Sequence, residues 1–340
     1  MTRLAFAVLA FLSLAAAFTG GVWWFAYSSA LDQLADRGRS DLSLASDRLV
    51  SQMQQYRELA VLMADHPTLS GALRGEVAAP VATALLLRTA DKTGTLQIHL
   101  ARADGTVVAS SDGSAGRSLA AQPDFRRAMN GALGTHHSRI RVDDRRIYTF
   151  AAPVFADSVR PLGVVSVDVN VSALEGAWAG DPEAIYFTDA QGVVFLSNRS
   201  ELLFRKSTRA DPAALARFGY APGSLQPMPS RQKTTRAGHE LWSIDGGPYL
   251  PSGALHLTRP LPVVGMTGEL LLDVAPAERI AGLQAAVAGA LALIFGGTLL
   301  LLLQRRRALS ERLALEAAAN ARLESRVAAR TAELSRANRN

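Results

Sequence analysis

The sequence predicts an α+β protein in which a long N-terminal helix leads into two tandem antiparallel-sheet modules, flanked by two transmembrane helices and followed by a C-terminal coiled-coil helix. Three observations carry this. Two charge-free stretches, 4–31 and 280–304, each exceed the roughly 20 apolar residues that cross a hydrocarbon core. Near residue 96 the apolar period changes from about 3.6 to about 2 residues. The order of helix, strand, turn and strand that begins there starts again near residue 172.

The first stretch ends in Val22, Trp23, Trp24, Phe25 and Tyr27, an aromatic cluster suited to a membrane interface, and is longer than the apolar core of a cleavable signal peptide. The second is followed at once by Arg305, Arg306 and Arg307, which mark a cytoplasmic flank. Arg3 belongs to the same side, and Asp32 and Asp36 follow the first span, so both termini are expected inside and residues 32–278 outside. Gly282, Gly289 and Gly296 recur every seven residues in the second span. They offer a face for a close helix neighbour, or reflect the ordinary glycine content of such helices.

Beyond the first span, Leu31, Leu34, Leu42, Ala45, Leu49, Met53, Tyr56, Ala60 and Met63 keep a helical rhythm until Asp65, His66 and Pro67 interrupt it. A second helix is expected at 78–90. Residues 96–101, the Asp104-Gly105 turn and 106–110 read as a β-hairpin. A short helix at 123–131 precedes strands at 135–142, 145–155 and 162–171, with turns at Asp143-Asp144 and Arg160-Pro161. The second module opens with a helix at 172–178, a hairpin of strands 184–189 and 193–197 about Gln191-Gly192, and later strands at 240–244, 254–259 and 266–274. Residues 205–238 carry no readable pattern. The units are therefore 32–171 and 172–278.

The net charge of +6 arises at the ends. Residues 305–340 hold nine Arg and four Glu, and residues 4–304 hold 26 basic and 26 acidic side chains. This excludes a folded nucleic-acid surface. The absence of cysteine excludes disulfides, thiolate metal sites and cysteine nucleophiles. His136-His137 is read as strand chemistry and not a metal pair, because neighbours on a strand face opposite ways. No glycine-flanked serine nucleophile, helical His pair or glycine-rich phosphate loop points to a hydrolase.

Several blocks resemble the tandem PAS-like, double Cache sensor domain of C4-dicarboxylate-sensing histidine kinases. They are Gly116-Arg117-Ser118-Leu119 leading to Pro123-Asp124-Phe125-Arg126-Arg127-Ala128, Tyr148 to Val154, Gly163 to Val169, and Thr188 to Ser197. Leu323 to Leu334 is similar to the linker before the catalytic region of such kinases. The resemblance implies the sensor and transmission region of a two-component receptor in the bacterial inner membrane, with its sensor domain periplasmic. It also implies a homodimer and a response regulator engaged through a kinase module. ATP and Mg2+ would belong to that module. All six histidines fall outside the membrane on this topology, so the 340 residues are expected to hold no phosphoacceptor histidine and to represent the input part of a longer receptor or a natural truncation. The input half of a chemotaxis receptor or diguanylate cyclase, or a stand-alone solute-binding modulator, could use the same outer domain.

The tail gives a heptad seam of Leu309, Leu313, Glu316, Asn320, Leu323, Val327, Arg330, Leu334 and Ala337, compatible with a marginal parallel dimer. By resemblance the distal module holds a small carboxylate, and the candidate ligand residues are Gln122, Asp124, Phe125, Tyr148, Thr149 and Asp168, with Arg139 and Arg141 at the rim. Gln122, Asp124 and Asp168 stand where relatives often carry Arg, Tyr and Lys. That exchange turns the local field against a dianion and towards a neutral or cationic solute.

Overall fold

A computed structural model describes residues 2–139, 145–155, 160–176, 178–206, 215, 218, 220 and 223–337. The chain forms two compact units, one of Met1–Ala30 with Pro276–Asn340 and one of Leu31–Ala275.

In the first unit, the opening part of α1 (Thr2–Ala64) accompanies α6 (Ala275–Ala337). Both helices are long and apolar enough to cross a membrane, with mean hydropathy of 1.9 and 2.4 in their most apolar windows. The heptad-spaced glycines have a use within the chain: a Cβ at Gly296 would meet Phe11 and one at Gly289 would meet Thr19, while one at Gly282 would meet none of the described residues. Two of the three patches are thus covered by the first apolar segment. Along the tail Leu309, Leu313, Leu323 and Val327 are exposed, as is Leu315 off the expected seam. The side chains of the seam positions Arg330, Leu334 and Ala337 lie outside the described residues.

The outer unit contains two antiparallel sheets. The remainder of α1 buries Leu31, Leu42, Ala45, Leu49, Met53, Ala60 and Met63, the predicted stripe, with Leu34 and Tyr56 half-buried. At Gly38 α1 lies close against the second sheet, since a Cβ there would collide with Leu257 and Leu272. The interruption at His66 is a cap: its Nδ1 accepts the Thr68 N–H and opens a short helix, α2 (Pro67–Arg74), that the sequence reading did not contain.

After α3 (Ala79–Thr93) come β1 (Gln97–Arg102), β2 (Val107–Ser110), α4 (Pro123–Met129), β3 (Gly134–Arg139), β4 (Arg146–Phe155) and β5 (Pro161–Asn170). The strands lie in the order β2-β1-β5-β4-β3. The turn expected at Asp143-Asp144 lies outside the described residues, and Pro161 begins β5 instead of ending a turn. Ala101, Val107, Leu119, Phe125, Ala128, Ala151 and Val164 form the core under α4.

Next come α5 (Val171–Glu175), β6 (Ala184–Thr188), β7 (Val194–Ser197), β8 (Arg205–Lys206), β9 (Gln226–Pro227), β10 (Ser230–Arg236), β11 (His239–Ile244), β12 (Gly253–Leu261) and β13 (Met266–Asp273). The second sheet runs β10-β11-β12-β13-β6-β7, while β8 and β9 pair separately and in parallel. Read from its hairpin, the second sheet repeats the first: the first hairpin strand pairs with the module's last strand, and β10 adds one edge strand.

The two sheets are tied together. Arg146 of β4 gives both guanidinium ends to Glu175, at 2.6 Å each, and donates to the Phe195 carbonyl at 2.6 Å. Tyr148 donates to the Val264 carbonyl at 3.0 Å, and His137 Nε2 lies 3.1 Å from the buried Asp189 carboxylate, which also accepts Tyr220. Both His136 and His137 stack on Phe218, at 5.5 and 4.3 Å, so the expectation that their rings part to opposite faces does not hold. Strand β3 is an edge of its sheet, and a ring set against that edge reaches both.

Candidate functional site

Strand alternation gives the first sheet two working faces. On one, Gln97 and His99 of β1, Ser138 of β3, Thr149 of β4 and Ser166 and Asp168 of β5 line a cavity of about 270 Å³, closed by Arg117, Leu119 and Gln122 from the segment before α4. Asp168 stands in register between Gln97 and Thr149. Thr149 donates to its Oδ1 at 2.7 Å, and His99 Nε2 lies 3.5 Å from its Oδ2. His99 is 2% exposed. Its Nδ1 meets Ser110 at 3.1 Å, and its Nε2 is buried with no hydrogen-bond partner among the described residues. A buried polar atom in that condition costs free energy until a ligand or water answers it.

Of the six residues expected from the sequence, the cavity gathers Gln122, Thr149 and Asp168. Asp124 is buried and does not line it, and its Oδ1 has no hydrogen-bond partner among the described residues. Burial pushes its carboxyl up to about 6, and the charge of Asp168 adds to the rise. Phe125 belongs to the hydrophobic core. Tyr148 points to the other face of its strand, where it contacts the second module, so it does not line the cavity. The rim candidate Arg141 lies outside the described residues, as does the side chain of Arg139.

The sequence reading missed Gln97, His99, Arg117, Ser138 and Ser166. Alternation along β1 and β5 was the available signal: once Asp168 is taken as facing the ligand, Ser166 two residues away and the cross-strand Gln97 and His99 share its face. Arg117 places a cation at the mouth that the sequence reading did not count. Asp112 is held down at about 2: burial opposes this, but hydrogen bonds from Ser110 and Ser114 outweigh it. The wall behind His99 therefore carries a negative charge. The cavity thus joins an acid-lined floor to a cationic mouth.

No protein-family model matches the chain. It is 30% identical over 323 residues to the C4-dicarboxylate transport sensor protein DctB of Pseudomonas aeruginosa, an alignment covering 93% of this chain and 50% of that protein. The chain thus spans about half the length of this relative. Among solved structures it is similar to the sensor domain of the Vibrio cholerae histidine kinase DctB, with a TM-score of 0.62, 22% identity, and coverage of 72% of this chain and 98% of that one. The ligand-binding domain of the Campylobacter jejuni chemoreceptor Tlp3, in complex with L-valine, aligns with a TM-score of 0.51 and 13% identity over 75% of this chain and 98% of that one.

Proposed function

We propose that the chain is a DctB-like membrane sensor region built on a double Cache fold, and that its distal cavity senses a small zwitterionic solute. The single observation carrying this is the pairing of Asp168 and His99 on the cavity floor with Arg117 at its mouth. An ammonium group is answered by the Asp168 carboxylate and a carboxylate by the guanidinium, each through charge-assisted hydrogen bonds. A dianion would bring a second negative charge onto Asp168, with Asp124 close by.

The test is isothermal titration calorimetry of the detergent-solubilised chain with L-valine and with succinate. L-Valine is expected to bind, and Asp168→Asn to weaken it about 10- to 150-fold, the equivalent of roughly 1.5–3 kcal/mol for a charged hydrogen bond. Succinate binding more tightly than L-valine and undiminished by Asp168→Asn would overturn the reading.

In this proposal residues 32–171 form the sensing module and 172–278 the membrane-proximal one. Both termini are cytoplasmic, and α6 relays the response to a histidine kinase module and its response regulator. The exposed leucines of the tail support a homodimer, because an unpartnered apolar seam gains by meeting a second copy.

A further inference from the structure

The second sheet contains a counterpart of the distal floor. Glu269 lies on β13, the last strand of its module, as Asp168 lies on β5. Each acid takes a hydrogen bond from a threonine on one flanking strand and stands beside a histidine on the other. Thr188 of β6 donates to Glu269 Oε1 at 2.7 Å and His256 of β12 meets Oε2 at 2.8 Å, while Tyr186 donates to Oε2 at 2.8 Å. In the first module the threonine and histidine stand on exchanged sides. Over Glu269 opens a cavity of about 220 Å³, lined also by Tyr186, Trp242, Met228, Lys206 and Lys233. The chain has only three lysines, Lys92, Lys206 and Lys233, against 33 arginines, and two of the three face this cavity.

We infer that this membrane-proximal cavity is a second ligand site, taking a small monocarboxylate with a short apolar body. The anion goes to the Lys206 and Lys233 ammonium groups, and the apolar body lies on Tyr186, Trp242 and Met228. Lys233 Nζ already sits 3.7 Å from the centre of the Trp242 ring, which fixes the ammonium beside that apolar surface. Glu269 already has Thr188, Tyr186 and His256 on three of its roughly four acceptor positions, which leaves it little to offer a lysine or a ligand ammonium. A second ligand carboxylate would be driven towards Glu269 and Glu240, the latter accepting Trp242 Nε1 at 2.6 Å. A monoanion is the class that meets both limits. The site is independent of the distal assignment, since it uses none of the same residues.

The test uses the full chain in lipid nanodiscs, with butyrate as the probe. Lysines are acylated with a water-soluble acetyl ester, and the rate at each position is read by peptide mass spectrometry. Saturating butyrate is expected to slow acylation of Lys206 and Lys233 about fivefold or more while leaving Lys92 unchanged. Lys206→Gln is expected to abolish protection of Lys233, and Lys206→Arg to retain it; Thr149→Val, in the distal cavity, is expected to leave protection intact. Equal rates with and without butyrate would overturn the proposal, as would protection that disappears in Thr149→Val.

Discussion

Removing the Arg146 guanidinium should uncouple the two sheets of the outer unit. Arg146 is 6% exposed and satisfies both oxygens of Glu175 and the Phe195 carbonyl. Arg146→Met would leave a nearly buried carboxylate without its counter-ion, and breaking such a pair costs about 3–5 kcal/mol. In a unit of this size, about 1 kcal/mol corresponds to roughly 2–4 °C, so the midpoint should fall by about 6–20 °C. The double variant Arg146→Met with Glu175→Leu removes the stranded charge as well. It still orphans the Phe195 carbonyl, as the single variant does, and the Ser197 N–H, which donates to Glu175 Oε1 at 2.8 Å, and should therefore lose about 2–3 kcal/mol. Differential scanning calorimetry of the solubilised chain measures both. A single variant that melts no lower than the double one would refute the assignment of Arg146 as the charge-neutralising tie.

Asp124→Asn should raise the melting temperature at pH 7.5 by removing a carboxylate whose ionisation the fold opposes. With its carboxyl pushed up to about 6, folding binds a proton that the unfolded chain releases near 4, so wild-type stability falls as pH rises across that window. The gap between variant and wild type should therefore close on going from pH 7 to pH 4, and a constant gap would count against the assignment. Gly134→Ala should lower both stability and L-valine affinity, because the new Cβ would fall on the Asp124 carbonyl and drive α4 away from β3; unchanged calorimetry would contradict that contact. Single cysteines at Leu313 or Leu323 should form disulfide-linked dimers faster than cysteines at Leu315 or Ser325, and equal yields would argue against the predicted seam.

Much of the frame was legible because it is written in periodicity. The stripe from Leu31 to Met63, the Asp104-Gly105 hairpin and the Pro123 helix start each depend on local rules that tertiary packing did not override. Strand β10 was not legible: Ser230–Arg236 holds no apolar residue, because it is an edge strand with largely exposed side chains. The site was half legible. Tyr148 and Thr149 are neighbours on one strand and cannot both face one cavity, a conflict visible in the sequence before any coordinates. His99 was hidden for the opposite reason, because its role comes from a register with β5 across nearly seventy residues of chain. Residues adjacent in a motif share a sequence, whereas residues that line a cavity share a face.

Between β13 and the first turn of α6 stands one residue, Val274, which is buried and donates its N–H to the Gly253 carbonyl at 3.1 Å. The chain thus has a single residue in which to turn from the strand that carries Glu269 into a 63-residue helix.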